Sequence, residues 1–338
     1  MLYFYLIYSI LIIISSFYIK KKKFLSNYTG DSHQLYSNKE NIPLIGGIFL
    51  IIPILLTNYT NLIFFVVVIS VSLIGIFSDK KILISPKKRF IFQIALIFFS
   101  VIFLNLEIIS SKIVFFDNFL RIKTFNIIFT SFCLLILING SNFIDGLNSL
   151  LLTYLTVVIF LLFKLNLIPA FIIKEEFINY LLIFLILLIF LNLCNILMLG
   201  DAGAYLLSFF VGYLIINCHM ANPYISPYLF ISIIWYPCYE NLFSIIRKLK
   251  SKFSPLEPDN NHLHQLLYIF IKKKFFKKKL FANNISSILI NCLNIGVIYI
   301  SSIEPYSSIH QIKLIISSIF IYTIIFVYLK KQTKNYEQ

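Results

Sequence analysis

Long apolar runs alternate with short polar connections along this chain of 338 residues. Many of the runs are about 17 to 22 residues long, the length an α-helix needs to cross the hydrocarbon core of a bilayer. Eleven such segments can be drawn, at about 2–19, 43–57, 61–78, 90–109, 125–139, 147–167, 177–198, 202–218, 226–245, 283–302 and 311–329. The second is short and opens on Pro43 with Gly46-Gly47, which suits a tilted or half-inserted helix. Period-2 alternation is absent, which argues against a β-barrel. The pattern predicts an all-α, polytopic membrane protein, with residues 1–338 as one multi-span domain.

Composition agrees. The chain is 59% hydrophobic and 13% charged, with a mean hydropathy of +0.89. A soluble domain is nearer half apolar and a quarter charged. The first run lacks a preceding basic residue and a small-residue cleavage site, and Lys20–Lys23 follow it, so it reads as a retained helix. The five cysteines all fall inside apolar segments without metal-ligand spacing and read as buried thiols.

Charge sets the expected orientation. With the N-terminus outside, the inner connections hold 23 of the 29 Lys and Arg residues and the outer ones hold 6. The positive-inside rule then places the C-terminus in the cytoplasm. It also accounts for the net charge of +15 without a nucleic-acid partner. The stretch Lys272–Lys279 around Phe275-Phe276 reads as an interfacial basic-aromatic helix on anionic lipid.

This orientation brings four polar clusters to the cytoplasmic face, in loops at about 79–89, 139–147, 199–203 and 246–282. Carboxylates beside a membrane are costly and rarely idle, and the chain has only 14 acidic residues. Asn139-x-x-Asn142-x-x-Asp145-Gly146 puts three polar side chains near one helix face, which suits a uracil, ribose or phosphate. Polar glue between helices is the plainer alternative. Gly200-Asp201-Ala202-Gly203 opens an apolar run, and Asp201 there could cap the helix or hold Mg²⁺ together with phosphate oxygens. Ser78-Asp79 closes another run, and Lys87, Lys88 and Arg89 follow, either as a solvated basic loop or as phosphate contacts. His262-x-His264 lies near Pro258-Asp259, with spacing for an extended loop or turn rather than a helical zinc pair. These imidazoles suit a sugar diphosphate, or are incidental.

Taken together, the motifs resemble the polyprenyl-phosphate N-acetylhexosamine-1-phosphate transferases of glycosyltransferase family 4. The matching stretches are Pro43-Leu-Ile-Gly46-Gly47, Gly75-Ile-Phe-Ser78-Asp79 with Lys88 and Gln93, Asn139…Asn142…Asp145-Gly146-Leu-Asn148-Ser149, Gly200-Asp201-Ala-Gly203-Ala204 and His262-Leu-His264-Gln265. They occur in the family's order across about residues 31–270. The resemblance implies transfer of a sugar 1-phosphate from a UDP-N-acetylhexosamine to undecaprenyl phosphate at the bacterial inner membrane, with release of UMP. It implies Mg²⁺ as cofactor, with Mn²⁺ as the alternative, and a homodimer as an open question. It further implies catalytic roles for Asp79, Asp145, His262 and His264. Asn139, Asn142, Lys87, Lys88 and Arg89 would bind substrate, and Asp201 would hold the metal. The chain departs from the family's pattern at Ser78, normally Asp, at Ser149, normally Gly, and at Gln265, normally His. The rival readings are a phospho-MurNAc-pentapeptide transferase and a secondary transporter.

Overall fold

A computed structural model describes residues 2–22, 25, 42–250 and 261–334. Lys23, Lys39, Lys252, Pro258 and Asp259 lie outside the described residues. Among those described, the chain forms helices and no strand beyond an isolated bridge between Leu44 and Met198. The helices are α1 (Leu2–Lys22), α2 (Gly46–Thr57), α3 (Leu62–Asp79), α4 (Pro86–Phe103), α5 (Val114–Leu120), α6 (Lys123–Ile144) and α7 (Leu150–Lys164). There follow α8 (Glu175–Leu193), α9 (Gly200–Ala221), α10 (Pro227–Ile233), α11 (Trp235–Lys250), α12 (Leu263–Lys274), α13 (Lys279–Ile303) and α14 (Ser308–Lys334).

Each of the eleven apolar segments holds at least one helix. Among the described residues seven helices, α1, α3, α6, α8, α9, α13 and α14, are long and apolar enough to cross a membrane. The segment at 226–245 is not one straight helix, because α10 and α11 meet at a bend of 74°. At α2 and α7 the helices are 12 and 15 residues long, so at 1.5 Å per residue they reach about 18 and 22 Å against a core of about 30 Å. The basic stretch at Lys272–Lys279 is not one helix either: α12 ends at Lys274, Phe275 and Phe276 are exposed, and α13 starts at Lys279.

The centre of the bundle is α9, buried from Ala202 to His219. Small residues let its neighbours come close. A Cβ on Gly75 of α3 would lie 2.2 Å from Ala202 Cα, and one on Gly47 of α2 would lie 2.1 Å from Gly203 N. Any side chain at either position would push α9 away. Without a hydrophobic drive between helices in lipid, such close backbone approach is a main source of packing energy.

Loops expected on one side of the membrane meet one another. At one end, Gly46 and Gly47 donate to the carbonyls of Met198 and Leu199, and Asn148 bonds Asn195 and Asn284. At the other, Ser110 lies against His219, Asn222 donates to Leu167 O, and Ser226 bonds Pro305 O and Ser308. The polar motifs all gather at the first end.

Candidate active site

The site begins where α3 stops and α9 starts. Asp79, the last residue of α3, accepts from the backbone N–H of Asp201 (2.9 Å) and of Ala202 (3.1 Å), one on each carboxylate oxygen. These are among the first amides of α9, which have no partner within their own helix. Gly200 sits at φ +74°, and a Cβ there would lie 2.7 Å from Asp79 Oδ2. Asp79, from a different helix, therefore caps α9. The alternative that Asp201 is the cap is overturned, since its side chain makes no capping bond.

Asp201 is instead free to face the site. Its Oδ2 accepts from Ser78 Oγ (2.5 Å) and from Arg89 Nη1 (3.0 Å), and Arg89 also donates to Ser78 Oγ (2.6 Å). The Asp201 and Arg89 side chains are 25% and 26% exposed, so the pair can be reached from outside. Arg89 is in place because Pro86 opens α4 directly after Ser85, setting Lys87, Lys88 and Arg89 in its first turn. Lys87 and Lys88 are exposed, and only Arg89 of the three pairs with an acidic residue of the site.

The loop after α6 supplies the third carboxylate. Burial first, then repulsion from Asp201 and Asp79, pushes the Asp145 carboxyl well above the usual range. Asn142 donates to the phenolic oxygen of Tyr205 (3.3 Å), whereas the Asn139 amide folds back onto Leu135 O of its own helix. Asn148 fastens α7 to α8 and α13 through Asn195, Asn283 and Asn284. Ser149 holds φ +55°, a left-handed conformation that Gly adopts at less cost. Bonds from its N–H and Oγ to Asn192 Oδ1 hold the serine there.

The histidines join from the start of α12. A Cβ on Gly146 would lie 2.6 Å from His264 Nε2, so His264 rests on the Asp145-Gly146 turn. His262 is the extended residue just before α12, and its ring lies 5.3 Å from Phe143 and 5.7 Å from His264. The spacing suits an extended loop or a turn; the structure sets His262 in extended backbone and His264 within the first turn of α12. Gln265 reaches back to accept from the backbone N–H of His262, so at this position it starts the helix.

Two features were not singled out by sequence reasoning. One is the Ser78–Arg89–Asp201 cluster. The other is Glu240, fully buried on α11, which bonds His262. An acid inside an otherwise apolar segment was the available signal for Glu240.

Among the described residues no three His, Cys, Asp or Glu side chains form a preformed metal cage. Magnesium rarely uses one: it takes one or two carboxylates, waters and substrate phosphates. Asp201 suits that mode, since among the described residues no donor reaches its Oδ1. The mutual repulsion of Asp79, Asp145 and Asp201 also favours an added cation. The donor set therefore fits the ion.

The family model described as Glycosyl transferase family 4 matches residues 61–219. That stretch runs from the start of α3 nearly to the end of α9 and includes Asp79, Asp145 and Asp201; Glu240, His262 and His264 lie beyond it. No curated protein matches the chain. Residues 61–219 are therefore similar to glycosyl transferase family 4, the polyprenyl-phosphate sugar-1-phosphate transferases, and the apolar helices are those of a membrane-like bundle.

Proposed function

We propose that the protein transfers a sugar 1-phosphate from a UDP-N-acetylhexosamine to undecaprenyl phosphate at the cytoplasmic face of a bacterial inner membrane. The observation that carries this reading is the meeting of Asp79, Asp145, Asp201 and the two histidines at one end of the bundle, from segments far apart in sequence. A transporter would hold such groups near mid-membrane in paired broken helices.

In the reaction, an oxygen of the lipid phosphate attacks the phosphorus that bears the sugar. The bond from that phosphorus to the bridging diphosphate oxygen breaks, and UMP leaves with that oxygen. Catalysis of this kind is positioning plus charge neutralisation. Magnesium held by Asp201, or manganese in its place, would supply part of that neutralisation. Arg89, released from Asp201 as phosphates arrive, binds phosphate oxygens, and Lys87 and Lys88 draw in the anionic substrates. Asn142 and Asp145 place the nucleotide, and His262 and His264 contact the sugar-diphosphate side. Asp79 positions the start of α9. A base is not needed, because a phosphate monoester with a second pKa of about 6 is mostly dianionic at neutral pH.

The test is purified protein with undecaprenyl phosphate, Mg²⁺ and a panel of UDP-sugars, UDP-MurNAc-pentapeptide included. Lipid-linked product is read by mass spectrometry and UMP by chromatography. Solute movement without UMP release would overturn the reading.

Ser78→Asp is expected to change kcat by less than about tenfold, with no new pH dependence. A rise of about a hundredfold, the size of a positioned general base, would show that a base is required after all.

Orientation has its own test, with single cysteines in a cysteine-free background. Tyr59 and Tyr306 are 57% and 62% exposed at the proposed outer end, and Lys277 is exposed at the inner end. Cysteines at 59 and 306 should react with an impermeant reagent in intact cells, and one at 277 should not. Labelling at 277 alone would invert the topology.

A further inference from the structure

Glu240 has no part in the chemistry described so far. It lies on α11 and is 0% exposed. Its Oε1 is 2.9 Å from His262 Nδ1, and its Oε2 accepts from the Tyr322 hydroxyl of α14 at 2.7 Å. A buried carboxylate is costly unless well partnered, and here each oxygen has a partner.

The His262 contact does more than satisfy the acid. Paired with an ionised carboxylate, which only accepts, Nδ1 carries the ring hydrogen. In that tautomer Nε2 is the ring nitrogen left for another partner. The ring is also fixed in plane, stacked on His264 at 15° and lying against Phe143. Phe143 precedes Asp145 by two residues, and His264 rests on Gly146. The His262 ring is therefore held beside the Asp145 turn, by a residue from a helix outside the matched family stretch.

We propose that Glu240 is a positioning residue for the transfer reaction, holding His262 through Nδ1 so that Nε2 serves the sugar-diphosphate group of the substrate. This rests on the transferase reading above. Tyr322 holds the second oxygen of Glu240 and fixes the direction of the carboxylate.

The experiment uses full-length protein and the variant Glu240→Gln, which keeps the shape and an acceptor but removes the charge. With UDP-sugar as the varied substrate, kcat is expected to fall about 10- to 100-fold, the range found for outer partners of metal-bound histidines. KM should stay within about threefold. In a His262→Ala background, Glu240→Gln should have no further effect, because a residue that acts only through the ring cannot add to its loss. A purely structural role predicts the same drop in both backgrounds, and that result, or an unchanged kcat, would overturn the proposal. A second measurement does not depend on activity. In ¹⁵N-histidine spectra the wild-type His262 ring should carry its hydrogen on Nδ1, and Glu240→Gln should admit the other tautomer. A wild-type ring with hydrogen on Nε2 alone would refute the contact even if Glu240→Gln failed to fold. Wild-type protein that shows the Nδ1 tautomer but releases no UMP would sink the transferase reading and leave the contact standing.

Discussion

Asp201→Asn is expected to lower turnover by about three orders of magnitude while the protein inserts and folds as before. Charge stabilisation through a held cation is worth several kcal/mol, and each 1.36 kcal/mol is tenfold in rate. The fold should tolerate the change because the Asp201 side chain caps nothing. The amides at the start of α9 are held by Asp79, through the backbone of Asp201 and Ala202. What Asn loses is the charge opposite Arg89, a pair about one quarter exposed on each side, so that water screens it and it adds at most about 1 kcal/mol to stability. Steady-state UMP release and a thermal melt in detergent are the two readings. Loss of less than about tenfold in kcat would remove Asp201 from the centre of the chemistry.

The helical architecture was legible because lipid leaves few choices. A backbone in hydrocarbon must bond itself, so a long apolar run has to be a helix, and each apolar segment duly holds one. The break between α10 and α11 had a signal that the apolar pattern masks. Pro237, in the first turn of α11, has no N–H for the carbonyl of Ile233, where α10 ends, and its ring crowds that carbonyl. The apolar run itself continues through the bend at Ile234. The turn-borne acids were legible because each ends or opens an apolar run, where a carboxylate has a cost to explain.

What each acid does was much less legible, since that depends on which helix ends meet. Asp79 and Asp201 look alike in the sequence, both at a helix terminus beside small or basic residues. The contact of Gly75 with Ala202, set by the missing Cβ, brings the end of α3 to the start of α9 and makes one acid the cap of the other's helix. The same contact gives meaning to Ser78. Its hydroxyl donates to Asp201 and accepts from Arg89, which a carboxylate at that position could not do without repelling Asp201. Glu240 escaped notice for the opposite reason. It lies within a run treated as one span, and its partners, His262 and Tyr322, are 22 and 82 residues away.

Asp79→Asn is expected to lose both stability and turnover, and that pairing separates a cap from a catalytic base. Asp79 gives one oxygen to each of two backbone N–H groups at the start of α9. An asparagine offers one oxygen, and its NH₂ would face the second N–H donor. Leaving a buried donor unmet costs about 1–3 kcal/mol, and hydrogen bonds to charged acceptors are themselves worth about 1.5–3 kcal/mol. A loss of about 3 kcal/mol is therefore expected, visible as a clear drop in the melting midpoint. Turnover should fall with it, by about a hundredfold or more, because a frayed start of α9 carries Asp201 away from Arg89 and Ser78. A catalytic base predicts something different: a normal melt, a large loss of kcat, and a pH–rate profile that loses its acidic limb. Asp79→Asn that melts like wild type yet turns over at wild-type rate would refute both roles. The cap reading also requires that the loss be intrinsic to the empty protein, so the midpoint should drop by the same amount without nucleotide or lipid as with them.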